Sequence, residues 1–269
     1  MILSKPFAFL KKDLIEQASY KFSFITQFAG IFFSTILFYF ISKLIGNTAS
    51  AYLAPYGGNY FPFVLIGIAF SSYLSVSLSS FSSAISGAQM SGTLEALLVT
   101  QTEIPVIIVC SSLYSFLLTS LRVVFYLVLG FLLFGVEMSG HGVPAAILIL
   151  FLTIIIFSSL GIMSASFIMV MKKGDPFMWV FTTLSWALGG VYYPVKMLPD
   201  WIGRFSYFLP ITYAMEGVRL ALLKGYSLSQ LTFQVGVLVA FALIMLPLSI
   251  YLFMLAVRKA KRDGSLIHY

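Results

Sequence analysis

Apolar positions in this chain come in long, nearly unbroken runs. The first lies between Lys21 and Lys43 and reads FSFITQFAGIFFSTILFYFIS. Others extend from about Phe61 to Ser86, Ile104 to Phe134, Pro144 to Met171, Phe177 to Pro194, and Phe233 to Val257, with Pro247 inside the last. A helix crossing a bilayer needs about 20 apolar residues. The pattern therefore predicts an all-α membrane protein of six transmembrane helices at about 22–43, 61–86, 104–134, 144–171, 177–194 and 233–257. The third run is long enough to tilt, or to bend near Pro105. Six crossings put both termini on one side. Ahead of the first run, Phe7, Leu10, Leu14 and Ala18 recur at helical spacing while Lys11, Lys12 and Gln17 fall elsewhere. This predicts an interfacial helix over 1–21, lying on anionic lipid, rather than a cleavable signal.

Composition agrees: 60% of residues are hydrophobic and only 9% are charged, against about 25% charged in soluble domains. An ordinary soluble enzyme, a disordered chain and, with one cysteine (Cys110), a disulfide scaffold are all excluded. No composition break marks a soluble domain, so 1–269 reads as one transmembrane domain. The net charge of +7 reports orientation in such a chain, not nucleic-acid binding. Lys5, Lys11, Lys12, Lys21, Lys172, Lys173, Arg258, Lys259, Lys261 and Arg262 fall on one face of the predicted topology, while loops 46–60 and 135–143 carry no Lys or Arg. The positive-inside rule then predicts both termini in the cytoplasm. Segment 195–232, with four cations, falls outside.

Several chemistries are missing. There is no Gly-Lys dipeptide, so no Walker A loop, and no HExxH. The only histidines, His141 and His268, fall on opposite sides of the predicted topology, which argues against a metal site. No catalytic residue and no cofactor bound by this chain is expected.

Three segments carry more information. In the second run Ser71, Ser75, Ser79 and Ser83 are spaced by four and stack on one helix face. Small residues at this spacing let helices approach closely in lipid, so the stripe reads as a dimer face or the wall of a translocation path, with packing inside the chain as the alternative. Ser77, off the stripe, is expected to tolerate bulk better. After that run, Gly92 and Thr93 suit a helix start, Glu95 sits in the first turn, and Leu94, Leu97 and Leu98 form an apolar face. This is a short amphipathic helix suited to a partner groove. Beyond the fifth run, Pro194, Pro199 and Pro210 interrupt a stretch rich in interface aromatics. It predicts two short re-entrant helices.

Gly92-Thr93-Leu94-Glu95 with Leu97-Leu98 resembles the G-T-L-E-x-L-L element of permeases of the ABC-2 type of ATP-binding-cassette transporters. Gly189-Gly190-Val191-Tyr192-Tyr193-Pro194, then Leu198-Pro199, Pro210-Ile211-Thr212-Tyr213, Glu216 and Arg219, resembles the same family's motif at the fifth span and its outer loop. The resemblance covers nearly the whole chain. It implies a type V exporter-like fold with an N-terminal connecting helix, a cytoplasmic coupling helix in the 87–103 region, and outer re-entrant helices at 195–232. It also implies a second permease copy or paralogue and two ATPase subunits that bind ATP and Mg. By the same token Pro194, Pro199, Pro210, Glu216 and Arg219 would form the outer gate, and Tyr192 and Tyr193 would border the path.

Charges inside a bilayer are costly and mark candidate sites. Arg122 lies 12 residues before Phe134, about 18 Å along a helix. It reads as a packing charge held by a carboxylate or carbonyls, as a contact for an anionic substrate, or as a side chain that snorkels toward the interface. Glu216 and Arg219, three apart, are spaced to pair. The expected function is the permease subunit of an ATP-driven exporter in a bacterial inner membrane, with an amphipathic or hydrophobic small molecule or lipid as cargo. The alternatives are export of a lipid-linked polysaccharide, an ion-gradient-driven carrier, and a non-transporting scaffold.

Overall fold

The computed structural model describes residues 15, 21–46, 48, 50–90, 104–171 and 176–262. Every regular element among them is helical: besides a one-turn helix at Ser50–Leu53 and three short 3-10 helices, these are α1 (Lys21–Ile45), α2 (Tyr60–Met90), α3 (Ile104–Phe134), α4 (Val143–Met171), α5 (Pro176–Leu188), α6 (Asp200–Ser206), α7 (Pro210–Lys224) and α8 (Thr232–Arg262). The expected interfacial helix at 1–21, the coupling residues Gly92, Thr93, Leu94, Glu95, Leu97 and Leu98, and the basic pair Lys172 and Lys173 lie outside the described residues.

Five helices, α1 to α4 and α8, are long and apolar enough to cross a membrane. The expected fifth crossing at 177–194 is shorter than its apolar run. α5 has 13 residues, or about 20 Å at 1.5 Å per residue, against a hydrocarbon core of about 30 Å. Gly189 donates its N–H back to the Ser185 carbonyl, and Gly190 turns the chain at φ 71°, a conformation open to glycine. The rest of the run is a turn. Pro105 lies at the edge of the described residues, where α3 as described begins at Ile104.

Within 195–232 the chain forms the helices α6 and α7, which differ in burial. α6 is peripheral, with Trp201 and Phe205 exposed. α7 is part of the core and buries Ile211, Ala214, Met215, Val218, Ala221 and Leu222. Pro210 starts it, and Gly225 at φ 71° ends it by donating to the Leu220 and Ala221 carbonyls.

α2 is the central helix. In its most apolar stretch 78% of residues are buried, against 11% in α1. It packs between α3 and α4, and α4 in turn receives α7 and α8. α1 rests on α2 and α3, and α5 touches α2 and α4. The α2–α4 contact is backbone to backbone: a Cβ on Gly161 would stand 2.5 Å from the Ser77 carbonyl oxygen and 2.8 Å from that of Leu78. Ser77 is therefore fully buried, which corrects the expectation that it would accept bulk. Within the chain, a close approach of small residues occurs here, between Gly161 and Ser77.

Among the described residues, the connections around 52–56, 139–142 and 189–196 meet at one end of the bundle. Ser139 donates its N–H to the Leu222 carbonyl at 2.7 Å. A Cβ on Gly142 would fall 1.8 Å from the Ala221 oxygen. At the centre of this cap is Arg219, 2% exposed. Its Nε donates to the Phe63 carbonyl (3.0 Å), Nη1 to Gly190 (2.7 Å) and Nη2 to Val191 (2.7 Å). The guanidinium also lies over the Phe63 ring, 3.5 Å from its centroid. The expected pairing with Glu216 gives way to these three carbonyls. Two of them belong to the irregular 189–194 turn, whose carbonyls have no helical partner and need donors in a water-poor interior. Gly67 makes room, since a Cβ there would lie 2.2 Å from the Val191 oxygen and 2.4 Å from Arg219 Nη2.

Removing the guanidinium leaves buried carbonyls without donors, at about 1–3 kcal/mol each. Arg219→Met should destabilise the protein by about 3 kcal/mol or more, and Gly67→Ala by about 1–3 kcal/mol through overpacking. Size-exclusion profiles of detergent-solubilised protein after graded heating measure both. Wild-type heat resistance in the two variants would show that the cap does not depend on this contact.

Candidate functional site

Beneath the cap, α1 and α5 cover α2 and α3 loosely and leave a cavity of about 360 Å³. Its wall takes Ser34 and Phe38 from α1, and Ile68, Ser71, Ser72, Ser75 and Val76 from α2. Arg122 and Tyr126 come from α3, Trp186 from α5, and Tyr192 from the turn that Arg219 holds. Arg122 and Tyr126 are four apart and share a helix face.

Arg122 donates through Nη2 to the side-chain oxygen of Gln27 on α1. Its Nε is shielded from solvent and has no hydrogen-bond partner. The Tyr126 hydroxyl is hydrogen-bonded to Ser34. The serines on α2 bond to their own helix, Ser71 to the Ile68 carbonyl at 2.8 Å and Ser75 to that of Ser71 at 3.3 Å. This satisfies their protons and leaves hydroxyl oxygens on the wall. Opposite, Phe38 stacks on Tyr192 with centroids 5.7 Å apart and planes 10° apart, and Trp186 lies 5.4 Å from Tyr192. Tyr60 fixes this group by donating to the Tyr192 carbonyl at 3.0 Å. The cavity thus has an aromatic side and a side bearing one cation and several hydroxyl groups.

The structure separates the residues grouped from sequence. Ser71, Ser75, Arg122 and Tyr192 meet in the cavity. Ser79 bonds to the Ser75 carbonyl at 2.8 Å, below it, and Ser83 is exposed further along. Tyr193 points elsewhere, bonded to the Ala187 carbonyl, and lines a neighbouring depression with Ile45, Thr48, Tyr60, Tyr192 and Met197. Gln27, Ser34, Phe38, Tyr126 and Trp186 were not singled out from sequence. A polar Gln27 inside the first apolar run, and Tyr126 one turn after Arg122, were the available signals.

A second cavity, of about 290 Å³, sits in the cap. Pro194, Glu216 and Arg219 line it together with Tyr52, Tyr56, Tyr207, Tyr226 and Lys196. Pro210 is buried at the start of α7, and Pro199 precedes α6 on the surface. Burial pushes the Tyr56 hydroxyl up to about 12, and Glu216 adds to the rise while Arg219 opposes it. Tyr56 is therefore a neutral donor at physiological pH. Among the described residues no group of His, Cys, Asp and Glu is arranged to hold a metal.

The inner membrane transport permease YadH of Escherichia coli K12 is 28% identical to this chain over 212 residues, covering 77% of the chain and 79% of that protein. The YadH permeases of Escherichia coli O157:H7 and Shigella flexneri align with the same identity and coverage. The sequence model of the ABC-2 type transporter family matches residues 7–223. That span holds the central helix α2, the aromatic turn and Arg219 on α7. With its long apolar helices, this chain belongs to the ABC-2 type transporter family, as a membrane permease.

Proposed function

We propose that the chain is the membrane subunit of an ATP-driven exporter of amphipathic molecules. The observation that carries the reading is the two-sided cavity at Arg122, in a permease of this family. Arg122 lies ten residues from Ser112 and 12 from Phe134 in the apolar stretch of α3, so it sits about 15–18 Å from either end. Aromatic rings facing a polar wall at that depth suit a cargo with both an apolar and a polar part. ATP and Mg would bind to two separate ATPase subunits, docked on the segment around Gly92–Leu98. A second permease copy would complete the path, and the cap with Pro194, Pro199, Pro210, Glu216 and Arg219 would close its outer end. The described ends of α1 and α8 carry Lys21, Arg258, Lys259 and Arg262 away from the cap. This supports a bacterial inner membrane protein with both termini in the cytoplasm, and the name of the YadH relatives supports the same membrane. The four tyrosines of the cap cavity favour a second reading, a lipid-linked polysaccharide, through stacking on sugar rings.

In the reconstituted complex with its ATPase, amphiphiles from a chemically varied panel should raise ATP turnover several-fold, while the permease alone hydrolyses none. Turnover indifferent to every amphiphile would count against the cargo class. Turnover by permease free of other proteins would count against the division of labour.

The docking segment gives a second expectation. Glu95→Ala or Leu97→Asp should leave the permease in the membrane but release the ATPase. Loss of such a charge-assisted contact costs about 2–5 kcal/mol. Normal co-purification and transport by both variants would remove this segment from the interface.

For sidedness, cysteines placed at Ser4 and Ser265 in a Cys110→Ser background should resist an impermeant reagent applied to intact cells, and one at Ser229 should react. The reverse pattern would invert the topology.

A further inference from the structure

We infer that the Arg122 cavity binds the oxyanion of an amphipathic ligand, a phosphate or carboxylate head, with the attached apolar chain lying on Phe38, Tyr192 and Trp186. This deepens the transport reading above and rests on it for its physiological meaning.

The argument starts from an unbalanced charge. Among the described residues no Asp or Glu lines the cavity, and Arg122 is its one ionised side chain. Lys43, Arg258 and Lys259 are the other charged residues of the described spans, and all three lie at span ends. A cation held this deep is unfavourable unless something compensates it. It donates one hydrogen bond, to the neutral amide oxygen of Gln27, and its Nε has no acceptor. Arg219 shows what a satisfied buried arginine looks like in the same chain. Each of its nitrogens donates to a carbonyl and its charge lies on a ring, even though it also borders the cap cavity. Arg122 borders open volume with its Nε unpaired.

The planar guanidinium fork suits an oxyanion with two acceptor oxygens. Gln27 orients the fork from one side, which makes it a positioning residue. The hydroxyl oxygens of Ser71, Ser72 and Ser75 line the same cavity as Arg122, beside Ile68 and Val76, so a polar head finds hydrogen-bonding groups there besides the guanidinium. The stacked Phe38–Tyr192 pair and Trp186 offer an apolar surface opposite. A bare inorganic anion would leave that surface unused, and an organic cation would meet Arg122 with like charge.

The test uses the full-length chain in nanodiscs of zwitterionic phosphatidylcholine. Three tryptophans are present, so Trp179→Phe with Trp201→Phe leaves Trp186 as a reporter inside the cavity. Dodecyl phosphate should change its emission saturably. Dodecyltrimethylammonium, with the same chain and opposite charge, should bind about tenfold more weakly or worse. Inorganic phosphate should also bind far more weakly than dodecyl phosphate. Arg122→Gln should weaken dodecyl phosphate about tenfold and leave the ammonium probe unweakened, and Arg122→Lys should recover part of the loss.

Equal affinity for the two charged amphiphiles in the protein with Arg122 intact would overturn the inference, even if Arg122→Gln fails to fold. So would an unchanged dodecyl phosphate affinity in a folded Arg122→Gln variant. Inorganic phosphate binding as tightly as dodecyl phosphate would overturn the amphipathic part. If these fail while amphiphiles still stimulate ATP turnover of the complex, the oxyanion site alone is lost. If dodecyl phosphate binds at Arg122 while turnover ignores every amphiphile, the transport reading alone is lost.

Discussion

Three carbonyl oxygens converging on the Arg219 guanidinium hold the cap of this permease together. A chain that turns inside an apolar bundle cannot leave its peptide groups to water, so an irregular segment there needs donors from the protein. The Gly190 and Val191 carbonyls are such groups, and Arg219 supplies both while reaching Phe63 on the central helix. The dependence is mutual. A fully buried cation is unfavourable without partners, and the turn and helix provide them. Gly67 is the steric condition for the contact, because any side chain there would occupy the place of the Val191 oxygen. Three segments far apart in sequence are fixed to one another by a single side chain.

The cavity below inherits its shape from that contact. Val191, held by Arg219, is followed by Tyr192, which stacks on Phe38 and lies against Trp186. One wall is thus placed by the cap. The other belongs to α2 and α3, whose mutual packing is tight. α1 and α5 touch this core over short stretches and carry many exposed apolar residues, Phe33, Leu37, Phe40, Trp179 and Leu184 among them. Rigid packing on one side and light coverage on the other leave volume at Arg122. The two arginines then have opposite characters: Arg219 is saturated and structural, and Arg122 is under-coordinated beside open space.

How much of this was legible follows from the physics of each signal. Hydropathy senses length and solvent, so α1, α2, α3, α4 and α8 were readable as long apolar runs, and family motifs pointed to the permease class. Hydropathy does not sense backbone breaks. The run 177–194 therefore read as one crossing, although Gly189 and Gly190 end α5 and begin a turn. Spacing within one helix showed that Ser71, Ser75, Ser79 and Ser83 share a face. It could not show that the close approach lies at Ser77 against Gly161, 84 positions later, because both partners are needed to define a contact. Arg122 was recognisable as a lone charge. Arg219 looked like a partner for Glu216, since the Phe63 carbonyl lies 156 positions away and leaves no local trace.

Hydrogen exchange read by mass spectrometry on the detergent-solubilised chain addresses the central constraint most directly. If Arg219 fixes the cap, peptides covering 190–192 and 211–222 should exchange as slowly as the buried stretch of α2 around 63–74. In Arg219→Lys, protection at 190–192 should fall by about tenfold or more, while α4 and α8 stay slow. Fast exchange at 190–192 in the wild-type chain, or equal protection in the lysine variant, would contradict the account.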